Sequence, residues 1–329
     1  MDISRIYHPE LPDFLRALAE TPPLQRLDGV GMNCGCEYTA FPRFQGLSPY
    51  SRRTHSLGVA RIVWHFTGDE RQAAAGLLHD VATPVFAHVV DFLRGDHLRQ
   101  ESTEAGTEAL IRGSAELQRA LADHKLVTED VCDYHRYPIA DNDPPRLSAD
   151  RLEYTLGNCV NYQILPAVEV QALYEDLTVG VDEDGVPELA FRDPEAAERF
   201  AFAAMACAEI YVSDEDRLAM QLLAELLRDA LDRGVLDGAD LYTTEPQVIA
   251  KLTTDARTAP LWARFRGYCR VFRADRPGAD GEWRQIPAKK RWIDPLVLGM
   301  GRVSAICPAF QRRAKAFLAA DQGVWLRAE

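Results

Sequence analysis

Apolar residues recur at helical spacing along most of the chain, and this pattern predicts a largely α-helical protein. The predicted helices cover residues 54–67, 73–81, 86–93, 101–111, 115–122, 128–134, 148–156, 167–177, 194–212, 214–233 and 309–320. A β-hairpin is predicted where residues 177–181 and 186–191 flank a turn-rich loop. Two further short strands are predicted at 268–272 and 283–286.

The pattern changes character near residue 235. Residues 1–235 form a predicted helical core, and residues 236–329 form a predicted mixed α/β appendage that includes a Pro/Gly-containing loop. The predicted fold is therefore mainly α, with a small C-terminal appendage.

Charge and hydropathy narrow the classes of partner. The 37 basic and 50 acidic side chains give a net charge of −13, which disfavours bulk nucleic acid and anionic membranes as partners. The most apolar stretch, residues 200–212, is too short to span a membrane and contains Glu209. The first residues lack the pattern of a secretory signal, and the seven cysteines are dispersed, so we expect a cytoplasmic protein with reduced thiols.

Four residues carry the most informative chemistry: His55, the adjacent His79 and Asp80, and Asp150. His55 and Asp150 each lie at the start of a predicted helix, whereas His79 and Asp80 end an apolar one. Two imidazoles and two carboxylates suit a divalent ion such as Mn, Fe, Co, Ni or Mg. Such a set leaves coordination positions for water and a phosphate oxygen.

The sequence motifs around these residues resemble those of the HD-domain superfamily of metal-dependent phosphohydrolases. The matching words are R-x-x-H-S-L-G-V at 52–59, L-L-H-D-x-x-x-P-x-F-x-H-x-x-D at 77–91 and A-D-R-x-x-Y at 149–154. The motifs span about residues 50–158 and are most similar to those of the deoxynucleoside triphosphate triphosphohydrolase branch. The resemblance implies an HD-domain helical core, hydrolysis of a nucleotide or other phosphorylated small molecule, and a homo-oligomer.

The resemblance also implies roles for individual residues. The four residues above would be the metal ligands, Arg52 would contact a substrate phosphate, and Tyr154 would line the substrate pocket. His88 and Asp91 match the end of the second motif, where Asp91 aligns with a carboxylate that works with a histidine in proton transfer.

One position departs from the branch. Thr83 stands where the triphosphohydrolases commonly have a histidine, and a threonine cannot act as a general acid or base near neutral pH. His88 or His97 could take over that role, or the reaction could be a simpler phosphomonoester or diester cleavage.

Other basic and aromatic residues have two possible interpretations. Arg53 and Arg151 would balance phosphoryl charge, or else form surface ion pairs. Arg136 lies in an aromatic segment, residues 134–137, that is either a base-stacking loop or an ordinary loop after a helix. The basic run 289–291 is interpreted as a solvated face, with an oligomer or effector contact as the alternative. The Cys-x-Cys at 34–36 is interpreted as a turn that borders the pocket.

Two other functions remain open for this sequence. An HD-scaffold di-iron oxygenase would need further histidines, for which His88 and His124 are available. A nucleotide sensor would keep the metal but lack turnover, which the departure at Thr83 favours. A (p)ppGpp hydrolase fits less well, because Val81 and Ala82 occupy positions where that group has an acidic pair.

Overall fold

A computed structural model describes residues 6–95, 106–279 and 281–329. Most of the described helices lie where the periodicity predicts them, whereas the helices within residues 13–26, 245–267 and 303–306 were not predicted. In chain order the described helices are α1 (Asp13–Ala19), α2 (Pro22–Arg26), α3 (Arg52–Thr67), α4 (Glu70–Leu78), α5 (Val89–Arg94), α6 (Thr107–Gly113), α7 (Ala115–Asp123), α8 (Thr128–Val131), α9 (Ala149–Asn161), α10 (Ala167–Glu175), α11 (Pro194–Tyr211), α12 (Asp214–Asp232), α13 (Glu245–Thr254), α14 (Ala259–Gly267), α15 (Val303–Ile306) and α16 (Pro308–Ala319).

Short strands accompany the helices: β1 (Leu177–Val181), β2 (Pro187–Phe191), β3 (Val271–Ala274), β4 (Arg284–Gln285), β5 (Leu296–Val297), β6 (Gly301–Arg302) and β7 (Trp325–Ala328). The predicted hairpin is confirmed, with β1 antiparallel to β2. One sheet has the order β1-β2-β5-β6, in which β2 and β5 are parallel, and the other has the order β3-β7-β4. The fold is mainly α, as the sequence predicts.

The division near residue 235 stays a prediction, but the two predicted parts share structure. Strand β2 from the first part pairs with β5 from the second. The apolar core forms two clusters, and each draws residues from both sides of residue 235. The two predicted parts therefore bury apolar side chains against each other.

Local capping fixes the ends of the two helices that matter most for function. The Ser51 hydroxyl accepts from the Thr54 amide at the start of α3, and the Ser148 hydroxyl accepts from the Arg151 amide at the start of α9. Each such cap stabilises a helix by about 1 kcal/mol. Since Ser148 makes the cap of α9, the carboxylate of Asp150 is not needed there and is available for another role.

The helix predicted over 101–111 is described only from α6 onward. The remainder of that segment and His97 lie outside the described residues. None of the described helices is both long and apolar enough to cross a bilayer.

Candidate metal centre and substrate cleft

The four predicted metal ligands converge at one point. The Nε2 atoms of His55 and His79 lie 3.2 Å apart. Oδ1 of Asp150 lies 3.0 Å from the first and 3.7 Å from the second, and Oδ2 of Asp80 lies 3.8 and 3.5 Å from them. His55, His79 and Asp80 form a compact group in which one ligand atom from each lies within 4.8 Å of the others. His55 lies near the start of α3 and Asp150 near the start of α9, whereas His79 and Asp80 directly follow α4.

The hydrogen bonds of the two imidazoles indicate that a cation belongs at this point. Nδ1 of His79 donates to the Gly76 carbonyl at 2.7 Å, and Nδ1 of His55 donates to the Glu153 carboxylate. In the neutral rings, both Nε2 atoms therefore present lone pairs to each other and to two carboxylates. Acceptors gathered without hydrogens between them repel one another, and a shared positive ion relieves that repulsion. The donor set fits a divalent metal ion.

The electrostatics of the buried groups agree with this assignment. Burial lowers the pKa of His55, but Glu153 and Asp150 outweigh it and raise that pKa to about 10. Burial raises the pKa of Asp150, whereas the two histidines overcome it and lower the value to about 2. The position of the His55 imidazole therefore favours positive charge.

Glu153 supports the centre from behind and was not identified from the sequence. Its side chain is fully buried, and it accepts from both His55 Nδ1 and the Tyr50 hydroxyl. A carboxylate in this place fixes the tautomer and orientation of a ligating histidine. Its spacing of three residues from Asp150 on α9 is the signal that could have revealed it.

Two glycines make room for this supporting carboxylate. A Cβ atom on Gly58 would lie 2.5 Å from Glu153 Oε1, and one on Gly157 would lie 2.6 Å from the Tyr50 hydroxyl. Gly58, the glycine of the R-x-x-H-S-L-G-V motif, is therefore required by the packing around the metal centre. Any side chain at this position would displace Glu153.

Thr83 has a structural role that explains the departure noted in the sequence. Its hydroxyl donates to Asp80 Oδ1 at 2.7 Å, and Arg52 Nη1 donates to Asp80 Oδ2 at 2.8 Å. Thr83 is fully buried and orients the carboxylate. The guanidinium of Arg52 and both ligand histidines hold the pKa of Asp80 well below its usual range, although its burial acts in the opposite direction.

A cleft of about 580 Å³ opens onto the metal centre. His88, Arg151 and Tyr154 also line it, as the sequence analysis proposed, and so do Tyr134 and His135. The cleft volume lies within the range typical of small-molecule sites.

His88 and Asp91 form a pair at one wall of this cleft. His88 Nδ1 and Asp91 Oδ2 are 2.9 Å apart, and Asp91 is fully buried. The two residues before His88, Phe86 and Ala87, adopt left-handed backbone with φ of 58° and 45°. Such backbone costs about 1–3 kcal/mol per residue and concentrates at functional sites.

Three of the predicted substrate-binding arginines have their guanidinium groups engaged by the protein. Arg53 binds Asp28, Glu20 and the Ala19 carbonyl, and it is not among the residues that line the cleft. Arg136 likewise lies off the cleft, where it donates to the Glu129 carbonyl. Arg151 lines the cleft, but its guanidinium contacts Asp141 at 3.0 Å and the carbonyls of Arg146 and Asn142.

The basic run near the C-terminus lies at the cleft, a placement that was not predicted. Lys289 is exposed and Lys290 and Arg291 are half-buried, and all three line the cleft. Lys290 Nζ donates to the carbonyls of Leu318 and Ala320, which anchors the run to the end of α16. Periodicity could not reveal this placement, because more than half of the chain separates the run from the motif at 52–59. The Cys34 turn does border the cleft, as predicted.

The fold and the ligand set are similar to those of HD-domain metal-dependent phosphohydrolases. No family model matches the chain. It is 26% identical over 254 residues to YdhJ of Bacillus subtilis, an uncharacterized protein, covering 76% of this chain and 74% of that one. It is also 26% identical over 161 residues to the metal-dependent phosphohydrolase cns2 of Cordyceps militaris, covering 49% of this chain and 44% of that one.

A solved structure extends the likeness over almost the whole fold. The crystal structure of a phosphohydrolase (BT4208) from Bacteroides thetaiotaomicron superposes with a TM-score of 0.66 at 14% identity, covering 97% of this chain and 96% of that one. The chain therefore shares this fold, and its ligand motifs are similar to those of the HD-domain superfamily of metal-dependent phosphohydrolases.

Proposed function

We propose that the chain hydrolyses a phosphate ester or anhydride of a nucleotide, with one divalent metal centre held by His55, His79, Asp80 and Asp150. The observation that carries this proposal is the meeting of metal ligands and basic side chains in one cleft. When bound, the metal ion supplies a water of lowered pKa and a Lewis-acid contact for a phosphate oxygen.

Basic side chains from two distant parts of the sequence line the cleft and support a phosphorylated substrate. Arg52 is buried next to the ligands, and its Nε has no hydrogen-bond partner among the described residues. Lys289 and Arg291 contribute positive charge to the same cleft, although the chain as a whole is acidic. Guanidinium groups suit phosphate oxygens because they donate two parallel hydrogen bonds. These groups would neutralise the charge that spreads over the phosphoryl oxygens.

The proton-transfer role is best suited to His88. Its burial lowers its pKa, the charges of Arg291 and Arg52 act in the same direction, and Asp91 opposes them. The imidazole is therefore neutral at pH 7, with Nδ1 donating to Asp91 and Nε2 available to accept a proton. Asp91 would hold this tautomer in place.

We expect His88→Gln to lower kcat by about 10²–10⁴-fold without loss of bound metal, the usual range for removing a general acid or base. In the wild type, activity that requires neutral His88 is present above its pKa and declines as the pH falls through a value below about 6.5. The check is a pH–rate profile for both proteins, with His124→Gln as control, since His124 packs against Phe14. If the rate of the His88 variant still fell at low pH as in the wild type, another residue would be responsible for the proton transfer.

The decisive test of the proposed function is turnover by metal-reloaded protein. The chain is stripped with a chelator and reloaded separately with Mn²⁺, Fe²⁺, Co²⁺, Ni²⁺ and Mg²⁺. Ribo- and deoxyribonucleotides with one, two or three phosphates are then supplied, and the released phosphate, pyrophosphate or triphosphate is identified. We expect at least one metal to restore hydrolysis of at least one nucleotide.

The other functions give different outcomes in the same experiment. Nucleotide binding without turnover in every loaded form would favour the sensor. The di-iron oxygenase needs a second ligand group, and in the described parts of the chain the compact His/Asp group is the one at residues 55, 79 and 80. Two tightly bound iron ions per chain would nevertheless support that alternative.

A further inference from the structure

One face of α9 connects the metal centre to the opposite end of the cleft. Asp150, Tyr154, Asn158 and Tyr162 all line the cleft, and they recur at intervals of four residues. Residues at this spacing lie on the same side of a helix. At 1.5 Å of rise per residue, the stripe extends about 18 Å from the metal ligand to Tyr162. The cleft therefore has a metal end and a remote end.

The remote end presents hydrogen-bond acceptors that the protein itself leaves largely unused. Asn158 Nδ2 donates to the Tyr211 hydroxyl at 2.7 Å, whereas its buried Oδ1 has no partner among the described residues. Asp216, which lines the same cleft, has its side-chain contact with the Cys36 thiol, at 3.8 Å. A buried acceptor without a donor is costly, so a ligand donor at this place would be favourable.

Asp216 differs in this respect from the acidic residues around it. Asp214 binds Arg217 and Arg273, and Glu215 lies 3.6 Å from Arg43. No ion pair to Asp216 occurs within residues 6–95, 106–279 and 281–329. Burial raises the pKa of Asp216 to about 8, although the Cys36 thiol and the charges of Arg217 and Arg43 act against that change. The half-buried carboxyl group therefore lacks an ion pair within those residues.

Aromatic side chains complete the surroundings of these acceptors. Tyr162 and Tyr211 line the same cleft, the Tyr211 hydroxyl accepts from Asn158 Nδ2, and the Tyr211 ring meets the Tyr154 ring edge-on at 6.2 Å. Aromatic faces stack on nucleobases of every kind. With Asp216 and Asn158 Oδ1 as acceptors in the same cleft, a bound base would also need hydrogen-bond donors.

We propose that the remote end of the cleft binds a nucleobase bearing an exocyclic amine, with Asp216 and Asn158 Oδ1 accepting hydrogen bonds from it. This inference rests on the proposed nucleotide function and adds the substrate class. Adenine, guanine and cytosine carry such an amine, whereas hypoxanthine and uracil carry none. Asp216 acts here as a specificity-determining residue, remote from the reacting phosphate.

The test compares substrates that differ chiefly at that group. The metal-loaded protein is given adenosine, guanosine and inosine nucleotides, and cytidine and uridine nucleotides, each with the phosphate number that is turned over best. We expect kcat/KM to favour the amine-bearing member by at least about tenfold, as for a hydrogen bond to a charged or buried acceptor. Asp216→Ala should bring the ratio close to one, and Asp216→Asn should restore part of it, since an acceptor oxygen remains.

Controls separate this inference from the function on which it rests. Glu215→Gln removes the neighbouring carboxylate, which does not line the cleft, and should leave the ratio unchanged. Circular dichroism and metal content verify that each variant is folded and loaded. Turnover with equal kcat/KM for both members of a pair, or a preference that survives Asp216→Ala, overturns the inference alone. No turnover of any nucleotide overturns the proposed function, and the inference with it.

Discussion

Asp80→Asn is expected to remove the bound metal and to lower kcat/KM by at least about 10³-fold. A metal ion contributes several kcal/mol to the stabilisation of a phosphoryl transition state, and each 1.36 kcal/mol is about a factor of ten in rate. Asp80 contributes one of the three most closely grouped ligand atoms, so its loss opens the centre. Asparagine has nearly the same shape and keeps an oxygen for the Thr83 hydroxyl.

The same substitution also removes a buried ion pair. Arg52 and Asp80 have side chains only 8% and 6% exposed and lie 2.8 Å apart. Breaking such a pair on one side typically costs about 3–5 kcal/mol, because a buried charge is left without its partner. In asparagine the one oxygen stays with Thr83 and the amide nitrogen faces the guanidinium, so the buried charge of Arg52 is left without an acceptor there.

Two measurements separate the loss of metal from the loss of folding. Metal content by mass spectrometry and thermal unfolding are recorded for the variant and for Asp123→Asn, which changes an exposed carboxylate. We expect a folded variant without stoichiometric metal, and a control identical to wild type. Full metal content together with wild-type turnover in Asp80→Asn would refute the assignment of the centre.

Glu153→Gln is expected to weaken metal affinity by about 10–100-fold, although residue 153 is not itself among the ligands. The carboxylate accepts from His55 Nδ1 and thereby directs the Nε2 lone pair to the centre. A glutamine removes the negative charge and offers an amide hydrogen that can oppose the imidazole N–H. Either change lowers the basicity of the ligand or rotates its ring.

Competition titration with a chromogenic chelator measures this effect directly. Tyr50→Phe serves as the matched variant, because it removes the other donor to the same carboxylate while the charge stays in place. We expect a much smaller change in affinity for Tyr50→Phe than for Glu153→Gln. Equal affinity in Glu153→Gln and wild type would show that His55 does not depend on this support.

Much of the centre could be predicted from the sequence, because its candidate ligands lie in short motifs whose residue types indicate metal binding. An imidazole beside a carboxylate at the end of an apolar helix, as at His79 and Asp80, is costly to bury without a cation. Helical periodicity likewise predicted most helix positions, although α5 begins three residues later than predicted because the left-handed backbone at Phe86 and Ala87 delays it.

The surroundings of the centre were harder to predict, since they depend on which side chains meet across the fold. Arg53 and Arg151 were candidates to balance phosphoryl charge beside Arg52, yet Asp28 and the Ala19 carbonyl hold Arg53 and Asp141 holds Arg151. Glu153 attracted no attention as one acidic residue among 50. Its function depends on tertiary contacts, since Gly58 leaves the space that it occupies next to His55.

The sequence by itself determined the helical class, the four candidate ligands and the order in which they occur. These features are local, since periodicity and short motifs are set by neighbouring residues. Only the tertiary structure decided what faces the ligands: the basic run at 289–291, the supporting Glu153 and the acceptors at Asn158 and Asp216. Such juxtapositions arise from the packing of distant segments, and a linear pattern contains no measure of the distance between them.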